Sequence, residues 1–122
     1  MSKGWIGVDL DGTLAHYDGW KGVDHIGEPV PKMMARVRRW LREGREVRIF
    51  TARVSGPNAE EARQHIKEWL REHDLRDGSD DLLEVTNIKD FAMDELWDDR
   101  VVRVEANTGT ALCASPRGLD TP

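Results

Sequence analysis

A four-residue apolar run, Trp5-Ile6-Gly7-Val8, stops abruptly at Asp9-Leu10-Asp11-Gly12-Thr13-Leu14. The run has the length and composition of a short buried strand. Two carboxylates two positions apart at its exit raise each other's pKa and need a proton or a cation to coexist. Such a pair suits a carboxylate nucleophile, a second carboxyl group for acid/base work, and a hard metal ion held between them. The plainer reading is an acidic turn at a strand end, with Gly12 supplying an unusual backbone conformation. The pair alone does not choose between the two readings, so the choice falls to whatever the rest of the chain delivers to the same place.

Residues 15–30 show no clear period and read as loop. Pro31 suits the first turn of a helix, and Met33, Val37, Trp40 and Leu41 keep the spacing of one helical face up to a stop at Gly44. Glu46-Val47-Arg48-Ile49-Phe50 reads as a second strand that ends in Thr51-Ala52-Arg53. After Gly56-Pro57, Asn58 is placed to cap a second helix, with Glu61 as its capping-box partner. Ala62, Ile66, Trp69 and Leu70 give that helix an apolar face, and Asp77-Gly78-Ser79 is the expected break. Leu82-Leu83-Glu84-Val85 reads as a third strand leading to Lys89. A fourth around Glu95-Leu96-Trp97 delivers Asp98-Asp99, and Arg100 to Val104 reads as a last strand. This order predicts an α/β fold, a Rossmann-like three-layer sandwich with a mainly parallel central sheet and helices on both faces. In such sheets ligands bind beyond the carboxyl ends of the strands. Asp9, Thr51, Lys89 and Asp98/Asp99 all fall at such ends, so four strand exits are expected to converge on one edge.

With 122 residues the chain suits one domain. The core is expected over residues 1–104, and residues 105–122, small and polar with two prolines, read as an irregular tail. No run approaches the ~18 apolar residues of a membrane span, and the first residues carry no secretory pattern. The single Cys113 cannot form an internal disulfide, in keeping with a cytoplasmic location. A net charge of −5 argues against nonspecific nucleic-acid binding. The charge is uneven: six arginines and two glutamates lie between Arg36 and Arg48. That run reads either as a solvated helix face or as a docking patch for an anionic polymer.

The four exits resemble the motifs of the haloacid dehalogenase (HAD) superfamily of phosphohydrolases. Asp9-Leu10-Asp11-Gly12-Thr13 is similar to its first motif, Ile49-Phe50-Thr51 to its second, Lys89 to its third, and Leu96-Trp97-Asp98-Asp99 to its fourth. Order and polarity match across residues 4–104. The chain departs from the pattern at Asp90, where many relatives have Pro, and in the short segment between Lys89 and Asp98. Neither residues 14–30 nor 54–88 can hold a separate cap domain, so the resemblance is to a minimal, capless member with an open site.

The resemblance implies a Mg²⁺-dependent phosphatase. Asp9 would be the nucleophile that forms an aspartyl-phosphate, and Asp11 the general acid and then base. Mg²⁺ would be held by Asp9, the Asp11 backbone carbonyl, and Asp98 or Asp99, between which the sequence does not choose. Thr51 and Lys89 would bind the transferring group, with Lys89 balancing charge in the transition state. Arg53 is a further substrate-binding candidate. His16 and His25 flank the site, and Trp20 is an indole in search of a stacking partner. The expected substrate is a phosphomonoester. An open site suits a large or oligomeric one, a nucleic-acid end among the candidates. The competing reading is a non-catalytic HAD-fold domain that binds phosphate or serves as a scaffold. A third is a phospho-accepting signalling receiver, but there the acceptor Asp would follow the acidic pair on a central strand.

Overall fold

The computed structural model describes residues 4–116. Four strands, β1 (Trp5–Val8), β2 (Glu46–Phe50), β3 (Glu84–Thr86) and β4 (Met93–Trp97), form one sheet in the order β3-β2-β1-β4. Every pairing is parallel, with Val8 opposite Ile49 on one side and opposite Trp97 on the other. Helix α1 (Pro31–Arg42) joins β1 to β2, and α2 (Ala59–Glu72) joins β2 to β3. The chain is therefore α/β, with β1 inside the sheet and its carboxyl end central.

Pro31 opens α1 without a side-chain cap, and Met33, Met34, Val37 and Trp40 form its buried stripe. Gly44 follows at φ +79°, a left-handed turn suited to glycine. Asn58 occupies the N-cap of α2, but its side chain makes no capping bond, so the expected capping box does not form. Glu60 and Glu61 in the first turn still complement the helix dipole. The helix stops at Glu72, before the expected break at Asp77-Gly78-Ser79. Asp74 takes φ +52° and Leu75 N–H donates to the Leu70 carbonyl at 2.9 Å, a closure that turns Leu75 fully into the core.

Ile6, Val8, Val47, Ile49 and Val85 share a single core cluster with the buried faces of both helices. By strand alternation, Trp5, Arg48 and Phe50 point to the opposite face. Two successive right-handed crossovers that step the same way across a sheet leave both helices on one side. The second face carries no helix among the described residues. Instead the segment 87–92 runs from β3 to β4 as a strap. Trp5 is fully buried yet lies outside the helix-side cluster. Its Nε1–H donates to Asp90 at 2.8 Å, the Arg48 guanidinium lies 4.5 Å over its ring, and Phe50 packs at 6.5 Å. The expectation of helices on both faces is corrected accordingly: six residues between β3 and β4 leave no room for a helical crossover.

Two other boundaries differ. Leu82 and Leu83 precede β3 rather than belonging to it, because Leu82 bridges to Arg76 and Leu83 N–H reaches Leu75. Arg100 to Val104 forms no strand; Val104 makes only an isolated antiparallel bridge to Ala111. Residues 105–116 have no helix or strand, and the remainder of the expected tail, 117–122, lies outside the described residues, as do 1–3. No described helix is long and apolar enough to cross a membrane.

Candidate functional site

The exits of β1 and β4 are stitched together. Asp9 N–H donates to the Trp97 carbonyl at 2.9 Å, which sets Asp9 beside Asp98. The chain then turns tightly: Ala15 N–H returns to Leu10 and Gly12 N–H to Ala15, both at 2.8 Å. Gly12 sits at φ +88°, and a Cβ there would lie 2.5 Å from Asp99 Oδ2. Glycine is thus needed twice, for the backbone conformation and for the close approach of Asp99. Thr13 clasps the same group. Its hydroxyl lies 3.4 Å from both Asp9 Oδ2 and Asp99 Oδ1 and accepts from Asp99 N–H at 3.1 Å.

Asp9, Asp98 and Asp99 each offer an oxygen within 4.8 Å of the others. Burial is the main reason the Asp9 carboxyl is pushed from 3.8 up to about 8; the negative charge of Asp98 and a hydrogen bond that the protonated Asp9 donates to Asp99 add to it. Three carboxylates at this separation could hold a metal ion, whose charge would replace the proton. Oxygen-only ligands of this kind suit a hard divalent cation.

The raised value has a testable sign. Between about 4 and about 8 the folded protein binds a proton at Asp9 that the unfolded chain does not. This group's contribution is therefore present at low pH and lost as pH rises through that window. We expect the stability of Asp9→Asn relative to the unsubstituted chain to increase between about pH 5 and about pH 8 in metal-free buffer, read from denaturant melts. A flat difference across that range counts against a buried, proton-bearing Asp9.

Asp11 lies apart from the three-carboxylate group. Arg53 forks it, Nε to Oδ2 at 2.7 Å and Nη2 to Oδ1 at 2.9 Å. The same guanidinium donates to the carbonyls of Val23 and His25 and stacks 4.8 Å from the Trp20 ring. Its side chain is only 5% exposed. With four N–H bonds made inside the protein, Arg53 is a latch holding Asp11 and the 15–30 loop together, and it also lines the first cleft, where the sequence placed it as a substrate-binding candidate.

Thr51, at the exit of β2, is 2% exposed. It caps the short 3₁₀ turn Ala52–Val54 through its hydroxyl, which accepts from Arg53 N–H at 3.1 Å. Its own N–H donates to the Thr86 carbonyl at 2.9 Å. Two clefts of about 400 and 460 Å³ open beside Asp9, and both are lined by Thr51, Ser55 and Arg100. The first also touches Asp11, Tyr17, Trp20 and Asn58; the second touches Asp98 and Asn87. The 15–30 loop puts two aromatic rings on the cleft.

Lys89 does not join this group. It is exposed and lines neither cleft. Its neighbour Asp90 is bonded to Trp5 and paired with Arg48 on the second face, which draws the strap away from the strand exits. The cation that does line both clefts is Arg100, which the sequence reading missed. Its signal was its place directly after Asp98-Asp99; its N–H also donates to Asp98 at 2.8 Å.

Most of the arginine-rich stretch is engaged within the protein, and only part of it is a solvated helix face. Arg36 packs over Trp97, Arg38 donates to the His73 carbonyl, Arg45 pairs with Asp94, and Arg48 with Glu46 and Glu84. Arg39 and Arg42 in the last turn of α1 are exposed.

Compared with protein-family models, curated proteins and solved structures, the chain matches none.

Proposed function

We propose that this chain is a Mg²⁺-dependent phosphomonoester hydrolase of the HAD-like, capless kind that works through an aspartyl-phosphate in the cytoplasm. One observation carries the reading. Asp9 and Asp11 from the exit of β1, Asp98 from the exit of β4 and the buried Thr51 from β2 line adjoining clefts at the carboxyl edge of a parallel sheet, and Asp99 completes a three-carboxylate group with Asp9 and Asp98.

An Asp9 oxygen attacks phosphorus as the bond to the leaving oxygen breaks, and Asp11 gives that oxygen a proton. In the second half, water attacks phosphorus, Asp11 takes the water's proton, and the Asp9 carboxylate is released. Mg²⁺, when bound by Asp9, Asp98 or Asp99 and the Asp11 carbonyl, supplies charge neutralisation for the phosphate oxygens. Thr51 offers its hydroxyl to one of those oxygens. Arg100 takes the charge-balancing part that the resemblance implies for Lys89, as a cation in both clefts. Arg53 fixes the orientation of Asp11.

The binding-only reading draws on the same Arg53–Asp11 fork, which engages both oxygens of the would-be acid, and on the absence of Lys89 from the clefts. Phosphate release from an aryl phosphate, with and without Mg²⁺, separates the two. Metal-dependent release from the purified chain favours the hydrolase; phosphate binding with no release favours the domain that only binds.

The division of labour predicts unequal metal losses. Asp98→Asn combined with Asp99→Asn should weaken Mg²⁺ binding by at least about tenfold, since losing even an outer-shell partner of a metal site costs about that much. Asp11→Asn should change it far less, because its side chain lies outside the three-carboxylate group. Calorimetric titration tests this, and equal losses in the two proteins would show the assignment to be wrong.

A further inference from the structure

Trp20 has no part in the chemistry above, yet its setting is specific. It lines the cleft that contains Asp9 and Asp11, and 59% of it remains exposed. The Arg53 guanidinium sits 4.8 Å from its ring centroid and is itself locked by bonds to Asp11, Val23 and His25. A cation over an indole is favourable, and a buried guanidinium held by four N–H bonds does not swing away easily, so the ring keeps its partner while much of its surface faces water. Tyr17, 46% exposed, lines the same cleft. Asn58 does too, and its side chain, which makes no capping bond, offers both donors and an acceptor.

We propose that Trp20 and Tyr17 form a stacking subsite for a nucleobase, carried by the phosphate ester whose phosphorus lies at Asp9. The inference rests on the reading of Asp9 as the group that reacts with phosphate. A flat aromatic ring is the natural partner of a fixed, half-exposed indole, because stacking demands a π-face and little else. The polar edge is what separates a nucleobase from a plain aryl group: a base presents donors and acceptors in its plane, and a side-chain amide such as that of Asn58 can pair with them. The cleft, about 400 Å³, falls in the range of small-molecule sites, roughly 300–1,000 Å³. Because one guanidinium holds both the Trp20 ring and Asp11, stacking would register the base against the acid that protonates the leaving oxygen. The expected open site is thereby narrowed: remote binding energy comes from a ring beside the phosphate.

The test is equilibrium binding to the full chain carrying Asp9→Asn, with Mg²⁺ present, using adenosine 5′-monophosphate, ribose 5-phosphate and adenosine. The monophosphate should bind more tightly than ribose 5-phosphate by about 5- to 150-fold, the range for one stacked base. Trp20→Ala should bring that ratio close to one, and Trp20→Phe should keep most of it. Equal affinities for the two phosphates, or a ratio unmoved by Trp20→Ala, overturns the subsite and leaves the phosphate reading intact. Adenosine binding as tightly as its monophosphate overturns the phosphate reading and leaves a ring site. If no probe binds, both are overturned. A 5′-phosphorylated dinucleotide distinguishes the source of the base. Tighter binding than the mononucleotide supports the base subsite as part of a nucleic-acid-end site; equal or weaker binding supports it as a site for the free nucleotide.

Discussion

Asp9→Asn lowers turnover below about 1% of the unsubstituted chain while the protein stays folded, because an amide oxygen is a far poorer nucleophile and the covalent step is lost with it. The fold should tolerate the change well. The Asp9 carboxyl already resists ionisation, being pushed up to about 8 chiefly by its burial, so a neutral amide suits the position. Asn also keeps an oxygen for the Thr13 hydroxyl, which lies 3.4 Å from Asp9 Oδ2. The measurement is a steady-state phosphate-release assay beside a thermal melt, with deamidation back to Asp excluded by mass spectrometry. Residual turnover above about 1% in a folded, undeamidated protein would sink Asp9 as the nucleophile; a mispositioned substrate costs less than a missing covalent step.

The parts of the fold that could be read from the sequence were those where local pattern and tertiary demand agree. β1 and β2 have the expected bounds because each apolar stretch is cut by polar exit residues, and α1 begins at Pro31 because proline fits only that end of a helix. Where tertiary contacts overrule pattern, the reading slipped. Leu82-Leu83 is as apolar as a strand, yet Leu83 is drawn to Leu75 and the ladder starts at Glu84. Val101 and Val102 promise a strand, but the chain there finds no sheet edge among the described residues. The site behaves likewise. Asp9, Asp11, Thr51, Asp98 and Asp99 follow from strand polarity alone, since every parallel strand ends on the same edge. Lys89 depended on the path between β3 and β4, which no local signal encodes; the Trp5–Asp90 bond that sets it joins residues 85 positions apart. The Arg53–Asp11 fork spans 42 positions and was equally invisible.

That fork predicts the other large effect. Arg53→Met keeps much of the side-chain volume but removes the charge and all four N–H bonds. Breaking one half of a buried ion pair costs about 3–5 kcal/mol. Asp11 retains 21% of its side-chain exposure and can recover some hydration, so the lower end applies. Against the ~5–15 kcal/mol of a whole domain, about 3 kcal/mol is a heavy loss, on the order of 10 °C in Tm. The damage should be local as well as global. Val23 and His25 lose their anchor and Trp20 its stacking cation, so the segment 17–25 should become the first site of limited proteolysis. Arg53→Lys should rescue little, since a single ammonium cannot fork both carboxylate oxygens and reach two carbonyls. Asp11→Asn and Arg53→Met should also fail to add, because each removes the other's partner. A Tm for Arg53→Met within about 2 °C of the unsubstituted chain, or strictly additive losses in the double variant, would mean that the fork is a surface contact of little worth. The latch would then have no claim to holding the loop, and the orientation of Asp11 would need another source.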